Sequence, residues 1–207
     1  MNEKTKNIIE WIYCIIIAIV IAVIIKTFVG TPTVVKQVSM NPVLVEGDRL
    51  ILNRLPKTFK QAPKRGEIIT FEAPEASSGM NKSQEDPTAS FKKVDNIFSQ
   101  FAYYILEFGK DSYIKRVIAL PGEHVEFKEG KVFINDKELE EPYLKEGVTT
   151  EPGKFYNFTV PEGYIFAMGD NRAQSKDCRE FGCIPIEKVE SVVTFRFWPL
   201  NKFGKVE

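Results

Sequence analysis

The hydrophobic pattern divides the chain into an apolar N-terminal segment and a longer part in which short apolar runs alternate with turns. The segment from Ile8 to Gly30 is almost entirely apolar, and the stretch from Ile12 to Ile25 carries no charge. With its flanks, this stretch approaches the ~20 residues that a helix needs to cross a bilayer. The run ends in bulky residues without a small-residue cleavage site. We therefore expect residues 8–29 to form a retained transmembrane anchor and not a cleaved secretory signal.

The charges around this segment indicate an orientation. Lys4 and Lys6 precede the apolar run and Lys26 lies near its end. The positive-inside rule then makes residues 1–7 a short cytoplasmic tail. Residues 30–207 would form a domain outside the cytoplasm.

Beyond the anchor, the pattern predicts a mainly β domain. Short runs rich in Val, Ile and Phe are typical of strands, and they occur at Arg49–Leu52, Glu67–Phe71, Tyr113–Ala119, Val125–Phe127 and Lys131–Ile134. Turn signals such as Pro-Gly and Asn-Asp pairs separate them at spacings too short for helical crossovers. We therefore expect mostly antiparallel pairing.

Residues 73–112 depart from this rhythm and predict an inserted, partly helical segment. Its first part, Ala73–Ser90, is polar and rich in small residues, which indicates a flexible loop. Its second part carries apolar residues at helical spacing, namely Val94, Ile97, Phe98, Phe101, Ile105 and Phe108. Such an amphipathic helix could lie on the membrane surface or cover the core of the domain, and the sequence leaves both open.

Composition excludes several classes of partner. Lysine plus arginine equals aspartate plus glutamate, 28 each, so no net field favours a nucleic acid. Cys14 lies within the anchor, and Cys178 and Cys183 are too far apart for a zinc-binding CxxC pair and have no histidine cluster near them. We expect no metal site. A disulfide between Cys178 and Cys183 and two free thiols both remain open.

The candidate chemistry begins with a serine and a lysine. Ser39 ends an extended run that Pro42 interrupts, but a hydroxyl needs a base to become a nucleophile. The only histidine, His124, lies in a strand-like context typical of a surface side chain. Lys115 lies in a predicted strand, where burial could make its neutral amine accessible. Arg116 points to the opposite face of that strand and cannot act as a base, because its guanidinium stays protonated.

Four segments resemble, in order, those of the type I signal peptidases, a family of membrane-anchored bacterial Ser-Lys proteases. They are SMNP at 39–42, GDRL at 47–50, KRVIALPGE at 115–123 and GDNRAQSKDCREFG at 169–182. The similarity extends from the anchor to the final Phe-Trp-Pro stretch and fails across the insertion. It implies an endopeptidase that removes signal peptides from secretory preproteins at the outer face of the bacterial plasma membrane.

The resemblance also implies roles for particular residues. Ser39 would be the nucleophile, Lys115 the general base, and Ser175 a hydroxyl that orients the lysine amine. A structural ion pair would form between Asp177 and Arg179 and hold the loop that carries Ser175. A tight turn packed beneath the site would consist of Gly169, Asp170, Asn171 and Arg172.

The expected oxyanion hole departs from the family pattern. It would use the Ser39 backbone N–H and a donor at position 37, where the family commonly has glycine or serine and this chain has Gln37. Either the backbone N–H or the side-chain amide of Gln37 would donate.

The resemblance further implies an extended substrate with small residues at the first and third positions before the cut. The residues expected to contact it are Val35, Lys36, Gln37, Met40, Leu44, Tyr113 and Ile114. The Ser-Lys chemistry needs no cofactor or metal. Besides the lipid bilayer, secretory preproteins are the expected partners.

Two rival functions differ from this one in class or context. A soluble Ser-Lys autoprotease of the repressor-cleaving kind would share the dyad, but it would carry a DNA-binding domain in place of the apolar segment. A membrane-anchored β domain that binds exported proteins without cutting them would share the anchor. Cleavage of a preprotein would distinguish a peptidase from such a binding domain.

Overall fold

The computed structural model describes residues 3–80 and 82–206, so Met1, Asn2, Asn81 and Glu207, which belong to the predicted tail, insertion and domain, lie outside the described residues. The first described element is helix α1 (Glu3–Ile24), which continues through one wider turn (Ile25–Val29). An 18-residue window of this helix has a mean hydropathy of 3.0 and none of it is buried, so the helix is long and apolar enough to cross a membrane. It contains the predicted anchor and already includes residues 3–7 of the predicted tail.

The rest of the described chain is mainly β, as the pattern predicted. The strands are β1 (Gly30–Val34), β2 (Arg49–Asn53), β3 (Ile68–Glu72), β4 (Ser112–Ala119), β5 (His124–Lys128), β6 (Lys131–Ile134), β7 (Lys137–Glu138), β8 (Asn157–Thr159), β9 (Tyr164–Met168), β10 (Ile184–Pro185), β11 (Val189–Trp198) and β12 (Gly204–Lys205). The short helices are α2 (Leu55–Thr58), α3 (Ile97–Tyr104) and α4 (Cys178–Phe181).

Two antiparallel sheets result. The larger has the order β1-β2-β11-β3-β4-β9-β10, with β12 paired to β11, and the smaller has the order β7-β6-β5-β8. The turn between β6 and β7 shows why the local sequence folds this way: Asn135 and Asp136 both have positive φ, 50° and 65°. Asn and Asp tolerate this left-handed conformation, which the tightest hairpins require.

Two apolar cores stabilise these sheets. The larger contains residues of β3, β4 and β9 together with residues of β5, β6 and β8, including Phe71, Phe158 and Phe166. Burying one such side chain contributes about 1.5–3 kcal/mol. The smaller core, which includes Met40, Leu44 and residues of β2, lies beneath the start of the domain. This smaller core supports the segment that carries Ser39.

The polar part of the insertion is packed, contrary to the expectation of a flexible loop. In its described residues, Ala89 N donates to Cys183 O at 2.8 Å, and Ser78 Oγ donates to Phe181 O at 3.0 Å. A Cβ on Gly79 would lie 2.3 Å from the carbonyl oxygen of Glu180. The small residues that suggested flexibility therefore allow close backbone packing against α4.

The apolar part of the insertion contains the predicted helix as α3. Asn96 caps it by accepting a hydrogen bond from Phe98 N at 2.9 Å. Ile97, Phe98 and Phe101 are 75%, 83% and 57% exposed, whereas Tyr103 is buried. The alternative in which this apolar face covers the core of the domain is therefore wrong.

Candidate active site

Ser39 lies in a single helical turn, Val38–Met40, that follows the end of β1. Met40 is fully buried in the smaller core, and Leu44 N donates to Met40 O at 2.9 Å, which holds the turn in place. The preceding Gln37 is extended, with φ −129° and ψ 152°. The Ser39 side chain is only 5% exposed and points toward β4, where it meets Lys115.

Lys115 lies on β4 opposite Ile69 of β3 and is 1% exposed. Its Nζ is 2.9 Å from Ser39 Oγ and donates to Ile114 O at 3.0 Å. Burial lowers the pKa of this amine to about 8, and the negative charge of Asp177 opposes the shift without cancelling it. A substantial fraction of the amine is therefore neutral near physiological pH, with a lone pair that can accept a proton from the serine hydroxyl.

The neighbouring Arg116 has a different environment, as the alternation along β4 predicts. Its guanidinium makes a bidentate pair with Asp170, with Nε–Oδ1 and Nη2–Oδ2 distances of 2.9 and 2.8 Å. Both side chains are nearly inaccessible to solvent. This pair links β4 to the turn that follows β9.

That turn, residues 169–172, contacts the backbone around the nucleophile. Asn171 N donates to Ser39 O at 3.0 Å, and the Asn171 side chain donates to Val38 O at 3.2 Å. A Cβ on Gly169 would lie 2.4 Å from Ser39 O. The predicted tight turn therefore lies directly beneath Ser39, and only glycine permits this approach.

Ser175 lies beside the same turn, but its hydroxyl makes no hydrogen bond to Lys115. Its Oγ is buried and has no hydrogen-bond partner among the described residues. The Oγ lies 2.3 Å from the position of a Cβ on Gly169, and Ser39 O lies 2.4 Å from the same position, so Ser175 is close to the backbone of Ser39. Its orienting role stays a prediction.

The Asp177–Arg179 pair closes the loop that carries Ser175. Asp177 accepts from Arg179 Nε at 2.9 Å and from Gly169 N at 3.0 Å. Arg179 in turn donates to Arg172 O at 2.7 Å. These contacts join the two ends of the loop, so the pair stabilises the position of Ser175 from both sides.

The two cysteines near this loop are free and buried. Ala167 N donates to Cys178 Sγ at 3.2 Å, and burial raises the pKa of the Cys178 thiol well above its usual value. The disulfide alternative is thus absent from the structure. Within residues 3–80 and 82–206, no group of His, Cys, Asp or Glu side chains could hold a metal ion.

A cleft of about 980 Å³ is lined by Lys26 and residues of β1, and it shares Lys36, Gln37, Tyr113 and Lys176 with a smaller cavity of about 380 Å³ beside Ser39 and Lys115. The lining includes five of the predicted substrate residues, Val35, Lys36, Gln37, Tyr113 and Ile114. Met40 and Leu44 are fully buried in the smaller core. We therefore assign these two residues to the core and not to substrate contact.

Other residues of the cleft were not expected from the sequence. Gln174 and Lys176 line the cavity beside the dyad, and their adjacency to Ser175 was the signal that could have identified them. Glu107, Lys110 and Asp111 of the insertion also line the larger cleft. No sequence signal pointed to these three, because the resemblance fails across the insertion.

Comparison with known proteins agrees with this architecture. The family model described as "Signal peptidase, peptidase S26" matches residues 8–198. Signal peptidase IB of Staphylococcus aureus (strain COL) is 31% identical over 214 aligned positions, covering 96% of this chain and 93% of that protein. Signal peptidase I of Bacillus licheniformis is 32% identical over 215 positions, covering 100% and 97%.

Among solved structures, a signal peptidase I from Enterococcus faecalis V583 aligns with a TM-score of 0.41 and 27% identity, covering 65% of this chain and 98% of that one. The family assignment depends on the family model and the two relatives, which span almost the whole chain. The chain therefore belongs to the signal peptidase family of hydrolases, peptidase S26.

Proposed function

We propose that the chain removes signal peptides from secretory preproteins at the outer face of the plasma membrane, with Ser39 as nucleophile and Lys115 as general base. One observation carries the proposal: the Ser39 hydroxyl lies 2.9 Å from a buried lysine amine whose pKa is lowered to about 8. A buried amine in hydrogen-bond reach of a hydroxyl can activate it without a histidine.

In the proposed reaction, Lys115 Nζ takes the proton of Ser39 while Oγ attacks the carbonyl carbon of the residue before the cut. The tetrahedral oxyanion would be stabilised by the Ser39 N–H together with a donor from Gln37. When the peptide bond breaks, Lys115 returns the proton to the leaving amine. The same amine then activates a water that hydrolyses the acyl-enzyme and regenerates the serine.

The free strand edges along the cleft favour an extended substrate. β1 is the edge strand of the larger sheet. On β4, Tyr113 and Ile114 pair with β3, while the pairing of β4 with β9 begins only at Arg116. Both segments line the cleft, so a preprotein strand could pair with either edge and bring its scissile bond to Ser39.

The short connection between anchor and nucleophile supports cleavage close to the membrane. Residues 30–39 lead from the end of the apolar helix to Ser39. At ~3.3 Å per extended residue, Ser39 lies no more than roughly 30 Å from the end of the anchor. With Lys4 and Lys6 in a cytoplasmic tail, residues 1–7, the domain at residues 30–207 would lie outside.

The test is incubation of the purified, detergent-solubilised chain with a labelled preprotein. We expect one cut after a small residue, identified by mass spectrometry of the new N-terminus, and its loss in Ser39→Ala and Lys115→Met. His124→Ala serves as the matched control, because His124 lies on β5 in the smaller sheet and should retain full activity. Cleavage that survives in folded Ser39→Ala would refute the mechanism, and binding without cleavage by the native chain would favour the non-cutting alternative.

A further inference from the structure

The insertion presents a cluster of exposed apolar side chains to solvent. We call this cluster the insertion face, and it consists of Ile97, Phe98, Phe101, Leu106 and Phe108, which are 75%, 83%, 57%, 55% and 81% exposed. Isolated apolar residues on a surface are common, but five exposed apolar side chains between residues 97 and 108, three of them phenylalanines, indicate an interaction site.

The insertion face lies beside the outer end of the anchor. Glu107, between Leu106 and Phe108, forms an ion pair with Lys26 at 2.8 Å and a second pair with Arg54. Burial raises the pKa of Glu107, but the hydrogen bonds from the two cations outweigh it, so the net pKa is lowered and the carboxylate stays charged. One side chain thus links the insertion to the end of the membrane-spanning helix and to the body of the domain.

The opposite side of the insertion is held by polar contacts. The buried Tyr103 hydroxyl donates to Glu72 at 3.3 Å, and burial raises the pKa of Tyr103 to about 12, so the hydroxyl keeps its proton. Lys110 pairs with Glu190, which also accepts from Ser112 at 2.7 Å. These contacts hold Tyr103 and the residues that follow α3 against the protein, while Ile97, Phe98 and Phe101 stay exposed.

We propose that the insertion face is a second membrane contact, inserted into the outer leaflet of the same bilayer that α1 crosses. The occupant is lipid because Glu107 holds this face next to Lys26, in the last turn of the apolar helix, where the bilayer interface must lie. Phenylalanine-rich amphipathic helices bind such interfaces, and Lys92 and Lys93 before the helix favour anionic headgroups.

This contact would also orient the cleft. Glu107, Lys110 and Asp111 follow α3 and line the cleft, as do Lys26 at the end of the anchor and residues of β1. Docking at two points, the anchor and the insertion face, would hold the mouth of the cleft at the membrane surface. The lipid contact itself does not depend on the proposed peptidase activity.

The experiment measures the depth of a label in the full-length protein. Phe98→Cys in a Cys14→Ser background is labelled with an environment-sensitive nitrobenzoxadiazole dye. Only the cysteine at position 98 should react, because Cys178 and Cys183 are fully buried. The protein is reconstituted into phosphatidylcholine–phosphatidylglycerol vesicles. Val148→Cys is the matched control, an exposed apolar position beside the hairpin of β5 and β6. A second label at Phe108→Cys checks the result independently of substitution at Phe98.

Quenching is measured with a headgroup-proximal nitroxide lipid and with external iodide. We expect the labels at Phe98 and Phe108 to be quenched by the nitroxide lipid and to show several-fold weaker iodide quenching than the label at Val148. Iodide access equal to that of Val148 would overturn the proposal. Protection from both quenchers would also overturn it, because the face would then be covered by protein, as in contact with a second copy of the chain. Cooperative thermal unfolding of each labelled protein confirms that it is folded.

Discussion

The pKa of Lys115 should govern how cleavage depends on pH. Burial lowers this pKa from 10.5 to about 8, and each unit corresponds to about 1.4 kcal/mol. The charged amine in the folded protein is therefore disfavoured by roughly 3 kcal/mol relative to water. At pH 7 about 10% of such amines are neutral, compared with roughly 0.03% for an unperturbed lysine. Burial thus increases the reactive population about 300-fold.

The log of kcat/KM for a peptide substrate in detergent should rise with slope near one below pH 8 and level off above it. Between pH 7 and pH 9 the expected gain is about tenfold, because the neutral fraction rises from ~10% to ~90%. Lys115→Arg should be inactive at every pH, since its guanidinium cannot accept the proton. A profile that is flat from pH 6 to 10, or whose limb is centred near 10.5, would refute the argument from burial.

The same shift makes a prediction for stability, with a definite sign. The pKa of Lys115 is lower in the folded protein than in the unfolded chain. Below about pH 8 the amine is protonated in both states, so burial of its charge lowers the free energy of unfolding by the full amount. The penalty declines between pH 8 and 10.5 and vanishes above. The free energy of unfolding of Lys115→Met should therefore exceed that of the native chain by up to roughly 3 kcal/mol at pH 7. This difference should disappear above about pH 10.5. Thermal denaturation of both proteins across this range tests it.

Three further substitutions test the support of the site. Gly169→Ala would place a Cβ 2.4 Å from the nucleophile's carbonyl oxygen, and we expect kcat to fall about 100-fold through misplacement of the serine. Asp170→Leu leaves the buried Arg116 without its carboxylate and should cost about 3–5 kcal/mol of unfolding free energy, most of which the double variant Arg116→Met/Asp170→Leu should restore. Gly79→Ala should lower the melting temperature more than Gly66→Ala, because both have positive φ but only Gly79 would clash with backbone. Equal losses in the last pair would contradict the packing of the insertion against α4.

Much of the fold and part of the site were predictable because the relevant signals are local. The uncharged apolar run, the strand periods and the Asn135-Asp136 turn determine elements through contacts within a few residues. The four motif segments identified the family and brought Ser39, Lys115 and Ser175 into consideration. Strand alternation also separated Lys115 from Arg116. Each of these inferences needs only neighbouring residues or a match of motifs in order.

The remaining properties depend on distant segments that meet only in the folded chain. Lys115 becomes a plausible base because β3 and the Ser39 turn bury it, and no local pattern encodes that burial. Met40 and Leu44 belong to the core because β2 and β11 cover them. The insertion is packed and not loose because Gly79 contacts α4, which lies far later in the sequence. The apolar face of α3 is exposed because Tyr103 contacts Glu72 and Lys110 pairs with Glu190 on the other side of the insertion, and an amphipathic pattern specifies an apolar face but not what lies against it.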